Sequence, residues 1–479
     1  MAKAGGERQA GGGRVIAQGY TVLDERRHAV DYRLSVWGDY FIRNPALPHT
    51  HQNSIEWMTE RRDKLVLEAR DKLLTLCDPL AELKMIDALQ RLGVSYHFKE
   101  EIDLKLHKLS SQKFDCENLH GISLQFRLLR QDGCYMSCDV FQSFMENQED
   151  FEATMQRDAR ALLALYEATH LGTPDEQFLE DAQRKTMSLL KSRIDRLEKP
   201  LADKVKHALE TPCFRRMKIL EARLYILLYQ EDTEECNETL DELAKLNFYL
   251  LQRLYREEVR EICEWYYEKE SPRRLFYARH RPVESYFWAL GVYYEPQYAK
   301  ARKFLAKFIA TITPYDDTFD NYGVWEELQP FANVMQRWDM KEVEQLGECY
   351  EDYARFMFGT MIEIENALPK DIATRNVNFI KNILETEKNN VATVVTCYMK
   401  EYGTTKEVAS EALWEVVDNA WKDMNKEFLT MTDIPSSLLI RVINLARMME
   451  TMYKEIDGYT DSAILKNRIS LLLEQPMTF

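Results

Sequence analysis

Beyond residue 50 the apolar positions recur with helical spacing. Met58, Leu65, Ala69, Leu73 and Leu76 follow one another at steps of seven, four, four and three, which puts them on one face of a helix. Asp78-Pro79 then has the form of an N-cap followed by proline at the first helical position. Leu80, Leu83 and Ile86 continue the apolar face, and Gly93 stands where a C-cap belongs. Near the other end, Thr404 and Glu407 have capping-box spacing. They predict a helix carrying Val408, Leu413, Val417, Ala420, Trp421, Met424 and Phe428. No run of alternating β-branched residues bounded by tight turns interrupts this pattern, and no repeat of fixed period is present. The expected fold class is all-α.

Composition narrows the picture without changing it. Of 479 residues, 45% are hydrophobic and 30% charged, the balance of a chain able to bury a large core. No apolar run approaches the roughly 18 residues of a membrane span. The formal charge of −16 argues against non-specific nucleic-acid binding, which needs a basic face. An anionic substrate would therefore have to be received by local arginines or by bound metal. The nine cysteines show no zinc or redox spacing and read as thiols of a reducing compartment. The first twenty residues are Gly-rich, with no apolar stretch and neither Ser nor Thr, so neither a secretory signal nor a Ser-rich transit peptide is expected. We expect a flexible tail over residues 1–25, a helical domain over 26–232 and a second over 233–479. The charged stretch 231–242 is the boundary candidate, although a solvated helix end would look the same. The expected location is the cytoplasm.

The sharpest chemical feature is Thr313-Pro-Tyr-Asp-Asp-Thr-Phe-Asp-Asn-Tyr-Gly323. On an α-helix Asp316 and Asp320 would lie about 40° apart on one face, with Asp317 adjacent. Carboxylates stacked in this way repel each other. Set among Phe308, Ile309, Ile312 and Phe319, they call for a hard divalent cation such as Mg²⁺, with Mn²⁺ as a substitute. Taken alone, a solvated acidic helix end explains the pattern better. The upstream sequence changes that. Arg279-His-Arg281 offers two guanidinium forks suited to phosphate, and Tyr286, Phe287, Trp288, Tyr293 and Tyr294 follow closely. Anion-binding Arg, metal-binding Asp and dense aromatic rings suit a diphosphate head on a hydrocarbon tail.

These blocks resemble those of plant class I terpene synthases of the sesquiterpene kind. YARHRPVESYFWALGVYYEPQYAKAR followed by DDTFDNYG is similar to the family's RxR and DDxxD motifs. The likeness extends to Arg26-Arg27 with Trp37-Gly38-Asp39-Tyr40-Phe41, to IDALQRLGVSYHF, to ATVVTCYMKEYG, to NAWKDMN and to DGYT at 457–460. The resemblance implies two all-α domains, the C-terminal one a bundle that holds Mg²⁺ on Asp316, Asp317 and Asp320. It implies that Arg279 and Arg281 hold the departing diphosphate, and that an allyl cation then cyclises in a dry aromatic pocket. Trp288, Tyr453, Asp457 and Tyr459 match the pocket wall, whereas Tyr286 and Phe287 are expected in the core. The general-acid motif DxDD of class II cyclases is absent. The implied substrate is farnesyl diphosphate, with geranyl diphosphate second, and the implied state is a monomer.

One family motif is not intact. The second metal motif, Asn or Asp with Ser or Thr at i+4 and Glu at i+8, aligns with Val377, Lys381 and Glu385; an alternative uses Asn382 and Glu387. Only 64 residues separate Asp320 from Glu385, and the family's domain is longer here by about eighty residues, several helices' worth. The reading is therefore a sesquiterpene synthase, with a catalytically impaired, shortened relative that binds a prenyl diphosphate as the alternative.

Overall fold

The computed structural model describes residues 32–47, 54–111, 118–141, 158–368 and 394–478. Among them there is no strand; helices and turns account for every element. The all-α expectation holds. No described helix is long and apolar enough to cross a membrane.

The early helices form where capping and periodicity place them. Ile55–Thr75 buries Met58, Leu65, Ala69 and Leu73. Pro79–Arg91 starts at Asp78, whose carboxylate accepts the Ala81 N–H at 2.8 Å. Gly93 follows at φ +73°, and a Cβ there would lie 2.8 Å from the Ala222 Cβ, so backbone and packing both demand glycine. Further on, the structure shifts one predicted start by a residue. Lys406–Thr430 is capped by Thr405, not Thr404. The Thr404 N–H instead bonds to the Met399 carbonyl and so finishes the preceding helix. The charged stretch 231–242 joins Lys218–Glu231 to Glu238–Glu268, and its Asp232 is buried between Arg160 and Lys204.

Contacts divide the chain into two compact units. The first comprises Met1–Leu34, Glu264–His280 and Phe308–Asn390; the second comprises Ser35–Cys263, Arg281–Lys307 and Val391–Phe479. The first unit has an aromatic core in which Tyr315, Phe331 and Tyr353 are fully buried, with Phe319 packed against them. In the second unit, Pro282–Val292 packs on Ser436–Tyr453. Gly291 is what lets these two helices meet, because a Cβ there would fall 1.9 Å from the Met448 sulfur. Tyr286 and Phe287 are fully buried, as expected of core residues. The Tyr286 hydroxyl donates to Glu258, which forms a two-pronged pair with Arg302 at 2.6 and 2.7 Å.

Both partners of that pair are buried, with side-chain exposures of 3% and 0%. Removing one carboxylate strands a guanidinium in the interior. Glu258→Ala is therefore expected to lower stability by about 3–5 kcal/mol, read as a lower urea midpoint at unchanged slope.

Candidate active site

The aspartates lie at the end of the helix Ala299–Asp317, which contains Pro314. Proline has no N–H for the carbonyl of Ala310, an interior defect worth about 3 kcal/mol in a regular helix. Here the helix tolerates it close to its own end, where it widens into a π-helical turn, Thr318–Tyr322, that carries Asp320. The Thr318 hydroxyl donates to the Pro314 carbonyl at 2.6 Å. Tyr277 stacks on Tyr322 at 3.8 Å with the rings 2° from parallel, and its hydroxyl lies 2.8 Å from that of Thr318. This clamp brings the backbone of Arg279 against the turn.

Arg279 then bonds to two aspartates. Its Nη2 donates to Asp316 at 2.6 Å, its Nε to Asp317 Oδ1 at 2.8 Å, and its backbone N–H to Asp317 Oδ2 at 2.6 Å. Tyr32 completes the cluster. Its ring centroid lies 5.3 Å from the guanidinium carbon, and its hydroxyl accepts from Asn321 at 2.5 Å and bonds to Asp317. Burial, reinforced by the charge of Asp317, pushes the Tyr32 phenol up to about 12. Burial also raises the Asp317 carboxyl above its usual range, and Arg279 opposes that shift. Asp320 is raised too, by burial and then by the charge of Asp316.

The three aspartates thus sit in different surroundings. Asp317 has no exposed side-chain surface and both its oxygens are bonded to Arg279, whereas the Asp316 side chain is 43% exposed and Asp320 lies at the surface. The exposed pair suits Mg²⁺, which commonly takes one or two carboxylates and completes its shell with water and phosphate oxygens. Asp317 does not suit it in this arrangement. Among the described residues no group of three or more His, Cys, Asp and Glu is disposed to hold a metal.

The other expected residues lie in the second unit. Trp288 meets Tyr459 and Tyr453 edge to face, with centroids 5.5 and 5.9 Å apart. Its buried indole N–H has no hydrogen-bond partner among the described residues. Arg281 is buried and donates to the carbonyls of Tyr459 at 3.0 Å and Thr460 at 2.8 Å. Asp457 is exposed, and its Oδ1 accepts the N–H groups of Tyr459 and Thr460, fixing the turn that carries Tyr459. Arg26, Arg27, Val377, Lys381, Asn382, Glu385 and Glu387 lie outside the described residues. Sequence reasoning missed Tyr32 and Asn321. Tyr32 lies inside the Arg26–Phe41 block, but only contact with Arg279 and Asp317 gives it a role.

The two exposures predict unlike outcomes. Asp317→Ala, which leaves Arg279 with an unpaired Nε and backbone N–H, is expected to cost about 3 kcal/mol in stability. Asp320→Ala should stay within about 0.5 kcal/mol of the parent. Thermal unfolding of the two variants side by side is the check.

Comparison with known proteins bears on this arrangement. Residues 36–209 match the family model for the terpene synthase N-terminal domain, and residues 267–386 and 383–423 match that for the terpene synthase family metal binding domain. The (+)-delta-cadinene synthase isozyme XC1 of Gossypium arboreum is 34% identical, over 95% of this chain and 96% of its own. Sesquiterpene synthase 2 of Toona sinensis is also 34% identical, over 94% and 96%. Isoprene synthase from grey poplar leaves (Populus x canescens), solved with three Mg²⁺ ions and dimethylallyl-S-thiolodiphosphate, is similar in structure with a TM-score of 0.75. It is 25% identical and covers 92% of this chain and 99% of its own. The chain belongs to the terpene synthase family of lyases.

Proposed function

We propose that the protein ionises farnesyl diphosphate in an Mg²⁺-dependent reaction and cyclises the resulting cation to a sesquiterpene. The observation that carries this reading is the Arg279 guanidinium, shared between a buried aspartate and a surface one. Asp317 holds Arg279 in place through Nε and the backbone. Nη2, facing the exposed Asp316, is the prong able to pass to a phosphate oxygen. Asp316 and Asp320 are then the metal ligands. Mg²⁺ bound there supplies charge neutralisation to the departing diphosphate. Trp288, Tyr453 and Tyr459 are assigned by resemblance to the hydrocarbon, whose positive charge their ring faces can attract. Arg281 is bonded to the turn at Tyr459 and is assigned to holding that turn. The domain division at 232/233, the cytoplasmic location and the monomeric state belong to the same reading.

A second reading, binding without turnover, is favoured by one observation. The alignment to the Gossypium relative runs over 541 positions, more than the 479 residues of this chain, and the metal binding domain is matched in two stretches. This supports an internal shortening that removes part of the expected second metal motif. The helix Lys406–Thr430 agrees with it, since Val408, Trp414, Val416 and Val417 are left exposed.

One assay separates the readings. Protein given farnesyl diphosphate and Mg²⁺ is expected to release pyrophosphate and a volatile sesquiterpene. EDTA should abolish both, and Asp316→Ala should slow them by about a hundredfold or more. Calorimetric binding of the substrate with no pyrophosphate release selects the second reading, and absence of binding sinks both.

A further inference from the structure

Several buried cations of this protein meet carboxylates, whereas Arg256 and Arg281 bond backbone carbonyls. In the second unit Arg130 meets Glu176, Arg302 meets Glu258, and Glu221 receives Arg91, His207 and Arg216. Around the start of the helix Lys218–Glu231 the pairing leaves donors over. Arg215 pairs with Asp418 and Glu450, and Arg216 with Glu221 and, through Nη2 at 3.6 Å, with Glu167; even so, Arg215 Nε and Arg216 Nη2 have no hydrogen-bond partner among the described residues, and Arg216 is only 7% exposed. Arg447, at 1% exposure, donates its Nε to the Phe214 carbonyl at 2.6 Å and its Nη1 to Asn444 at 2.7 Å, while its Nη2 is unpartnered. No carboxylate pairs with Arg447 or with Lys218 among the described residues. Burial and the neighbouring Arg447 charge push the Lys218 ammonium down to about 7. The helix itself begins without a side-chain cap, because its N-cap is Met217. Its first N–H groups therefore add positive potential at the same place.

This cationic segment borders a cavity of about 610 Å³ in the second unit, lined by Arg215 and Arg216 and by the apolar Met217, Leu220, Leu224 and Leu471. None of the aspartates, Trp288 or Arg279 lines it. Of its carboxylates, Glu221 and Glu450 are already engaged, the latter by Trp421 and Arg215, while Glu210 and Glu455 are exposed. Buried donors without acceptors are costly, and a cluster of them at one helix start is the arrangement that an oxyanion satisfies.

We propose that this cavity binds a phosphate-headed amphiphile. Its head is received by Arg215 and Arg216 at the start of the Lys218 helix, with Lys218 and Arg447 behind them, and its hydrocarbon lies along Leu220, Leu224 and Leu471. The site is separate from the aspartates and needs no metal, so a test in EDTA keeps the two apart. The full chain is titrated calorimetrically with dodecyl phosphate below its micelle-forming concentration, and in parallel with inorganic phosphate. Dodecyl phosphate is expected to bind, inorganic phosphate about tenfold or more weakly by comparison, and Lys218→Met and Arg215→Met should each weaken the dodecyl phosphate complex by about tenfold. Asp316→Ala should bind as the parent does. Lys218→Met carries a second readout. Removing a half-buried charge that no carboxylate pairs should raise the unfolding temperature of the ligand-free protein even as it weakens binding, whereas a merely structural lysine would lower it. The proposal is overturned if dodecyl phosphate does not bind, if both charge variants bind it as the parent does, or if Asp316→Ala loses it. Inorganic phosphate binding equally well overturns the apolar half.

Discussion

The candidate site depends on one shared guanidinium. Asp317 exposes none of its side chain to solvent, and an isolated carboxylate there would be costly enough to stay protonated. Arg279 offsets that cost with two donors, and the same side chain extends a third to Asp316. The bond to Asp317 is structural: it ties the segment before Arg281 to the end of the aspartate helix, aided by the Tyr277–Tyr322 stack. The bond to Asp316 lies nearer the solvent, since that side chain is 43% exposed. A site that must take a metal and an anion together gains from such a division. One carboxylate is spent on positioning the arginine, and two remain at the surface.

Several other buried charges are compensated in the same way. Asp232 lies between Arg160 and Lys204, and Arg127 meets Asp87. These pairs add little net stability over apolar packing, yet breaking any one of them leaves an uncompensated ion. Against this background, Lys218 and Arg447 stand out, because no carboxylate pairs with either among the described residues.

Much of this was legible in the sequence where local physics decides. The Asp78-Pro79 start and the buried face of Ile55–Thr75 follow from capping chemistry and period, and Tyr286 and Phe287 lie in the core, where ordinary aromatic packing puts them. The start at Thr405 did not, because two adjacent threonines compete and the end of the preceding helix claims the first. At the site, the sequence placed Asp316 and Asp320 on one helical face but not the widening of the helix between them. Nor could it tell the three aspartates apart, since their difference comes from Arg279, a residue distant in the chain. Tyr32 lay further out of reach, because its role consists wholly of contacts made after folding.

The wide turn at Thr318–Tyr322 has a consequence for how this segment can change. A π-helical turn bonds residue i to i+5 where an α-helix bonds i to i+4, so it stores one surplus residue. Loss of a single codon there would leave a continuous ordinary helix rather than a break, and would swing the last acidic group by about 100° around the axis. Such a loss would also move Tyr322 away from Tyr277, so the register of this turn couples the position of Asp320 to the packing that holds Arg279.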